Sequence, residues 1–167
     1  MIKKIVWTVI FGFIAAILQS TLLSRLAVYH AVPDIALGII VYSAYVNGVM
    51  AGQLSGFFYG IVLDLLSAAP LGLNALIRTI IGALSGIFKG KFFLDFFLLP
   101  MILCASATIL KALLFFLLSL LFSGSVPSYQ FGAPGLWIEL GLNTVIAPFL
   151  FALLKRFRPL FAERNDV

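Results

Sequence analysis

Blocks of apolar residues, broken by short polar or glycine- and proline-bearing punctuation, run through this chain from end to end. Runs of this length are the pattern of helices surrounded by lipid. They predict six helices, over residues 5–24, 35–46, 49–67, 74–88, 96–122 and 136–154. Pro33-Asp34 reads as a helix start, because proline suits the first turn and a carboxylate suits the positive end of the dipole. Asn47-Gly48, "AAPLGL", "KGKFFLD" and "SGSVPSYQFGAPG" supply the breaks between later helices. The expected architecture is an all-α integral membrane protein. A single six-helix domain covers residues 1–158, and a short cytoplasmic tail covers 159–167.

The second helix is short for a span: ~14 residues reach only ~21 Å against a hydrocarbon core of ~30 Å. Charge decides the matter. With six spans, Lys3, Lys4, Lys89, Lys91, Lys155, Arg156, Arg158 and Arg164 share one side and only Arg25 falls on the other. A re-entrant second helix would send the basic tail to the side opposite Lys3 and Lys4, against the positive-inside rule. Six spans with both termini cytoplasmic are therefore expected. The N-terminus begins like a signal peptide, but its apolar core is too long and no small-residue cleavage site follows, so it reads as a retained first span.

Composition agrees: 63% of the 167 residues are hydrophobic and 10% charged, more apolar surface than a soluble domain of this size can hide. The net charge of +5 is explained by topology, with anionic-lipid attraction as an addition, and nucleic acid is not implied. Cys104 is the one cysteine and His30 the one histidine, so neither a disulfide framework nor a metal cluster is expected. No nucleophile–base arrangement or phosphate loop is present, and no enzyme activity or cofactor is expected.

Within this apolar background two glycine ladders stand out. Gly48, Gly52, Gly56, Gly60 and then Asp64 recur every fourth residue on the third helix, and Asn74, Arg78, Gly82, Gly86 and Gly90 do so on the fourth. Each ladder is one stripe of its helix, and small residues at this spacing let backbones approach closely in lipid. Gly52, Gly56, Gly60, Gly82 and Gly86 are the expected packing positions. Asp64 and Arg78 lie at matching depths of two neighbours joined by a short turn, so an intramembrane ion pair is expected, arginine's fork suiting a carboxylate. Such a pair either fixes the hairpin or meets a ligand, and both readings stand at this point.

Asn74, Lys111, Glu139 and Asn143 fall in the outer half of the bundle and are candidates to line a small polar pocket open to the outside. Lys111 lies ~16 Å below its helix end, too deep to snorkel easily to water. Glu139 could instead sit at the interface near its helix start. Gln19, Ser20 and Thr21 add polar groups at a similar level, although serine and threonine often bond their own helix.

The chain resembles the MreD family of bacterial rod shape-determining proteins. The resemblance rests on "LQSTLL", "VPDIALGIIVY" and above all "GQLSGFFYGIVLDLLSAAPLGLNALIRTIIGALSG". It implies a scaffold or regulator of the cell-elongation complex in the cytoplasmic membrane, supporting lateral peptidoglycan synthesis. The partners it implies are chiefly MreC, with MreB, RodA and a class B penicillin-binding protein. The family is also similar in fold to the S components of energy-coupling-factor transporters, which makes a small-molecule binding subunit the alternative.

Overall fold

The computed structural model describes residues 2–21, 31–67, 70–90, 97–122, 126, 132, 134–157 and 159. Six helices lie within them: α1 (Ile2–Thr21), α2 (Ile35–Asn47), α3 (Val49–Leu66), α4 (Leu73–Ile87), α5 (Leu98–Leu121) and α6 (Pro134–Arg156). Four of these, α1, α3, α5 and α6, are long and apolar enough to cross a membrane, while α2 and α4 are shorter. The helix α1 starts earlier than the apolar pattern predicts and takes in Lys3 and Lys4, because lysine is a good helix former. Pro134 opens α6, where its missing N–H costs no helical bond. Arg25, His30, Lys91, Phe96, Arg158 and Arg164 lie outside the described residues, as do the predicted end of the first helix and the side chains of Ser20 and Thr21.

The short helix α2 is the axis of the bundle and packs against each of the other five. Every residue from Ala36 to Ala44 is buried. A helix that is apolar on all sides belongs in an interior, and this one needs no stripe because it has no solvent- or lipid-facing side. Its length follows from its position. Shielded by neighbours, it does not have to match the hydrocarbon thickness, and its first residue lies within the bundle.

A non-helical approach at that depth is tolerated only where protein meets its backbone groups. Here it does. Gln19 Nε2 donates to the carbonyl of Pro33, Asp34 N–H donates to Asn143 Oδ1 at 2.7 Å, and the Asp34 carboxylate caps the Leu37 N–H at 3.0 Å. Proline has no N–H to satisfy.

The closest helix pair is α3 with α4. A Cβ built on Gly52 would strike the Gly82 carbonyl, and one on Gly82 would strike that of Gly52. Gly56 lies on the Arg78 carbonyl, Gly60 on Ala75 and Gly86 on Val49. The obstacles are backbone atoms, so these positions have no room for any side chain. Gly48 (φ 95°) makes the α2–α3 turn and Gly72 (φ 92°) the start of α4, conformations that other residues rarely adopt.

Helix directions follow from the side-chain contacts. The Thr8 and Ser43 hydroxyls are 2.8 Å apart while Gln19 reaches Pro33, so α1 and α2 are antiparallel. Asn143 meets Asp34, and Phe151 packs edge-on against Tyr42 with centroids 5.1 Å apart, so α6 runs parallel to α2. Lys89 Nζ meets the Asn47 carbonyl at 3.4 Å. Lys3, Lys4, Lys89, Lys155 and Arg156 thus gather at one end of the bundle, around Asn47.

Candidate functional site

Four ionisable side chains from four helices meet beside the start of α2. Arg78 Nη2 on α4 donates to Asp34 Oδ2 at 2.9 Å and to Oδ1 at 3.3 Å. Lys111 Nζ on α5 donates to the same Asp34 Oδ2 at 2.8 Å and to Glu139 Oε1 on α6 at 2.6 Å. Arg78, Asp34 and Glu139 are all buried. Two cations and two carboxylates balance, so the cluster carries no formal net charge. That balance is what lets four charges stay together in a low-dielectric interior.

Asp34 is the hub. Sequence reasoning identified it as a helix start, a role it has, and missed its two cations. The signal was available in the length of α2: an apolar helix too short to span has an end inside the protein, and a carboxylate there needs cations.

The expected Asp64–Arg78 ion pair requires correction, since each has another partner. The Asp64 carboxylate accepts from Gly72 N–H at 2.9 Å, from Asn74 N–H and Asn74 Nδ2 at 2.9 Å each, and from Ala75 N–H at 3.2 Å. The first N–H groups of a helix have no partner within it and carry the positive end of its dipole. Those at the start of α4 are nearer to Asp64 than the guanidinium, which points back toward α2. Asp64 therefore ties the end of α3 to the beginning of α4.

The four candidates for a polar pocket divide. Lys111 and Glu139 join the ion cluster directly. Asn143 supports it, its Oδ1 accepting from Asp34 N–H while its Nδ2 donates to Thr108 Oγ1 at 2.9 Å. Thr108 in turn donates to the Cys104 carbonyl at 2.8 Å. Asn74 belongs with Asp64 instead. The cleft that remains beside Asp34, lined by Pro33, Gly38, Thr108, Asn143 and Leu150 among others, has a volume of about 10 Å³, room for about one water molecule.

Arg78 also lies over the face of Tyr59, with its central carbon 5.0 Å from the ring centroid. Tyr59 is held in turn by α1, where Gly12 leaves the space that its ring fills; a Cβ there would come within 2.7 Å of the ring. The cluster is thereby linked to all six helices. Its chemistry is that of a fixed, neutral polar core, and no group of three or more histidine, cysteine or acidic side chains that could hold a metal occurs among the described residues.

Compared with known proteins, residues 1–157 match the family model described as rod shape-determining protein MreD. No curated protein and no solved structure matches the chain.

Proposed function

As the chain belongs to the MreD family of rod shape-determining proteins, we propose that it is a membrane scaffold of the bacterial cell-elongation complex. Family membership supports involvement in rod shape determination. The finer reading is that it binds the membrane span of MreC and helps to hold MreB, RodA and a class B penicillin-binding protein together for lateral peptidoglycan synthesis. On this reading it performs no chemistry itself and lies in the cytoplasmic membrane as a multi-pass protein.

The observation that carries the scaffold reading is the small size of the cleft beside Asp34. Lys111, Glu139 and Asn143, which could have lined a ligand site, are bonded into one network through Asp34, beside a cleft of about 10 Å³. Small-molecule pockets are usually ~300–1,000 Å³, so the S-component-like alternative receives less support. A rigid bundle whose outer faces are apolar is suited to meeting partner helices side by side. Six crossings of the chain, with both termini cytoplasmic, fit the gathering of five basic residues at the Asn47 end.

Depletion in a rod-shaped bacterium, followed by microscopy, tests the proposal. Rounding with loss of MreC co-purification is expected. Normal shape together with a new requirement for an external solute would favour the transport alternative.

A further inference from the structure

The five helices around α2 stand in the order α1, α3, α4, α5, α6, each packed against the next. The two ends of this row, α1 and α6, do not pack along their lengths. They meet near the basic end of the bundle, where the rings of Phe11 and Phe157 are 5.5 Å apart. Trp7, one turn before Phe11, extends the cluster, its ring 6.2 Å from that of Phe11. Lys3, Trp7, Phe11, Ile14 and Leu18 recur every three or four residues and so share one face of α1. On that face Trp7 and Phe11 are half-buried, while Ile14 and Leu18, farther from the basic end, are 49% and 44% exposed. Leu153, one turn before Phe157, is 56% exposed. Beyond the aromatic contact the two helices therefore part, leaving an apolar opening to the lipid.

The mouth of this opening is charged. Thr8 of α1 meets Ser43 of α2, and Phe151 of α6 meets the adjacent Tyr42. Lys4 is one turn from Thr8 and Lys155 one turn from Phe151, both toward the basic end. The first turn of α1 and the last turn of α6 therefore lie at one level, and Lys3, Lys4, Lys155 and Arg156 gather there. Neither turn carries an acidic side chain. Lys3 and Arg156 are exposed, and Lys3 shares the face of α1 that turns toward Phe157. Tryptophan favours the headgroup level of a bilayer, and basic side chains beside it attract anionic headgroups. A zwitterionic headgroup would bring its own ammonium to these cations; an anionic one does not.

We propose that the opening between α1 and α6 binds an anionic phospholipid. Its phosphate lies on Lys3 and Arg156, its glycerol region crosses the Trp7–Phe11–Phe157 rings, and an acyl chain runs along Ile14 and Leu18. The lipid completes the ring of helices where the protein leaves it open. The proposal is independent of the partner assignment.

Quenching of tryptophan fluorescence by brominated lipid, with the full chain in proteoliposomes, tests it. Trp7 and Trp137 are the two tryptophans, so Trp137→Phe reports Trp7 alone and Trp7→Phe reports Trp137, at the other end of α6. The bilayer is phosphatidylcholine with a fixed minor fraction of phosphatidylglycerol. Bromines are placed on the same acyl carbons of either the phosphatidylglycerol or an equal amount of the phosphatidylcholine. Brominated phosphatidylglycerol should quench Trp7 several-fold more than brominated phosphatidylcholine, while Trp137 is quenched equally by the two. Lys3→Gln with Arg156→Gln should abolish the preference at Trp7. Lys89→Glu, an equal change of net charge at the same end but on α4, should keep it. Equal quenching of Trp7 by both lipids without these charge changes overturns the proposal. So does an equal loss in Lys89→Glu, which would make the preference a property of the whole basic end. Should the double variant disturb the fold, altered Trp137 quenching reports it, and the preference at Trp7 with its retention in Lys89→Glu decides.

Discussion

Arg78 reaches Asp34, 44 positions back along the chain, and leaves Asp64, in the neighbouring helix of its own hairpin, to the backbone of α4. Sequence proximity and matched depth did not choose the partner. The nearest unsatisfied N–H groups took one carboxylate, and the recessed start of α2 offered the other.

This division predicts which double mutants compensate. Removing one member of a buried pair strands the other, at ~3–5 kcal/mol, and removing both is milder than the sum. Asp34→Asn with Arg78→Gln should therefore lose much less stability than the two single losses added together, because Lys111 and Glu139 remain as a balanced pair. Asp64→Asn with Arg78→Gln should be additive to within ~0.5 kcal/mol, as the two share no partner. Thermal unfolding of all five variants in one detergent measures both cycles; strong coupling in the second would restore the Asp64–Arg78 pair.

The hub position of Asp34 predicts an order within the cluster. Asp34→Asn leaves Arg78 and Lys111 both short of a carboxylate, whereas Glu139→Gln leaves Lys111 on Asp34. Asparagine caps helices about as well as aspartate, so the comparison reports charge rather than loss of the α2 start. Asp34→Asn should have the lower melting temperature by several degrees. Equal losses would mean that Glu139 and Asp34 share the cations evenly.

How much of this was legible depended on the kind of signal. The Gly52–Gly56–Gly60 stripe could be read directly, since a four-residue spacing is a property of one helix. The six helices were likewise visible, because apolar run length and punctuation are local. Partner choice among Asp34, Asp64, Arg78 and Lys111 was not, since it depends on where α2 lies relative to α4, α5 and α6. The shortness of α2 is visible in the sequence, but its physical meaning, a helix start buried among other helices, depends on the neighbours that surround it. Asn74 was likewise assigned to the wrong cluster, because a residue at a helix start can turn toward the preceding helix as easily as into the core.

Glycine substitutions should separate by what the new methyl group meets. Gly82→Ala and Gly56→Ala place a Cβ on backbone of the facing helix, which can yield only if α3 and α4 move apart. Gly38→Ala meets the end of the Leu150 side chain, which can turn aside, so its loss should be smaller and should shrink further with Leu150→Ala. Gly141 is exposed with nothing within 4 Å, and alanine there should be neutral or stabilising by up to ~1 kcal/mol through helix propensity. Folded yield and melting temperature should rank Gly141→Ala first, Gly38→Ala next and Gly82→Ala last. A well-tolerated Gly82→Ala would mean that the α3–α4 contact is looser than its geometry.

The topology is testable at the two ends of the bundle. Lys89 and Lys155 lie at the end where α2 turns into α3, and Trp137 lies in the first turn of α6 at the other end. Basic residues are retained on the cytoplasmic side during insertion, while tryptophan favours either interface. Cys104 is buried, so a Cys104→Ala background removes the one native thiol without touching the surface. Single cysteines at Lys89 and Lys155 should then react with a membrane-impermeant maleimide only after the cells are opened, and one at Trp137 should react in intact spheroplasts. Labelling of Lys155→Cys from outside with Lys89→Cys protected would mean an odd number of crossings between α4 and the end of α6. That outcome would be hard to reconcile with α6 running parallel to α2 beside Asp34, so it would overturn the packing as well as the topology.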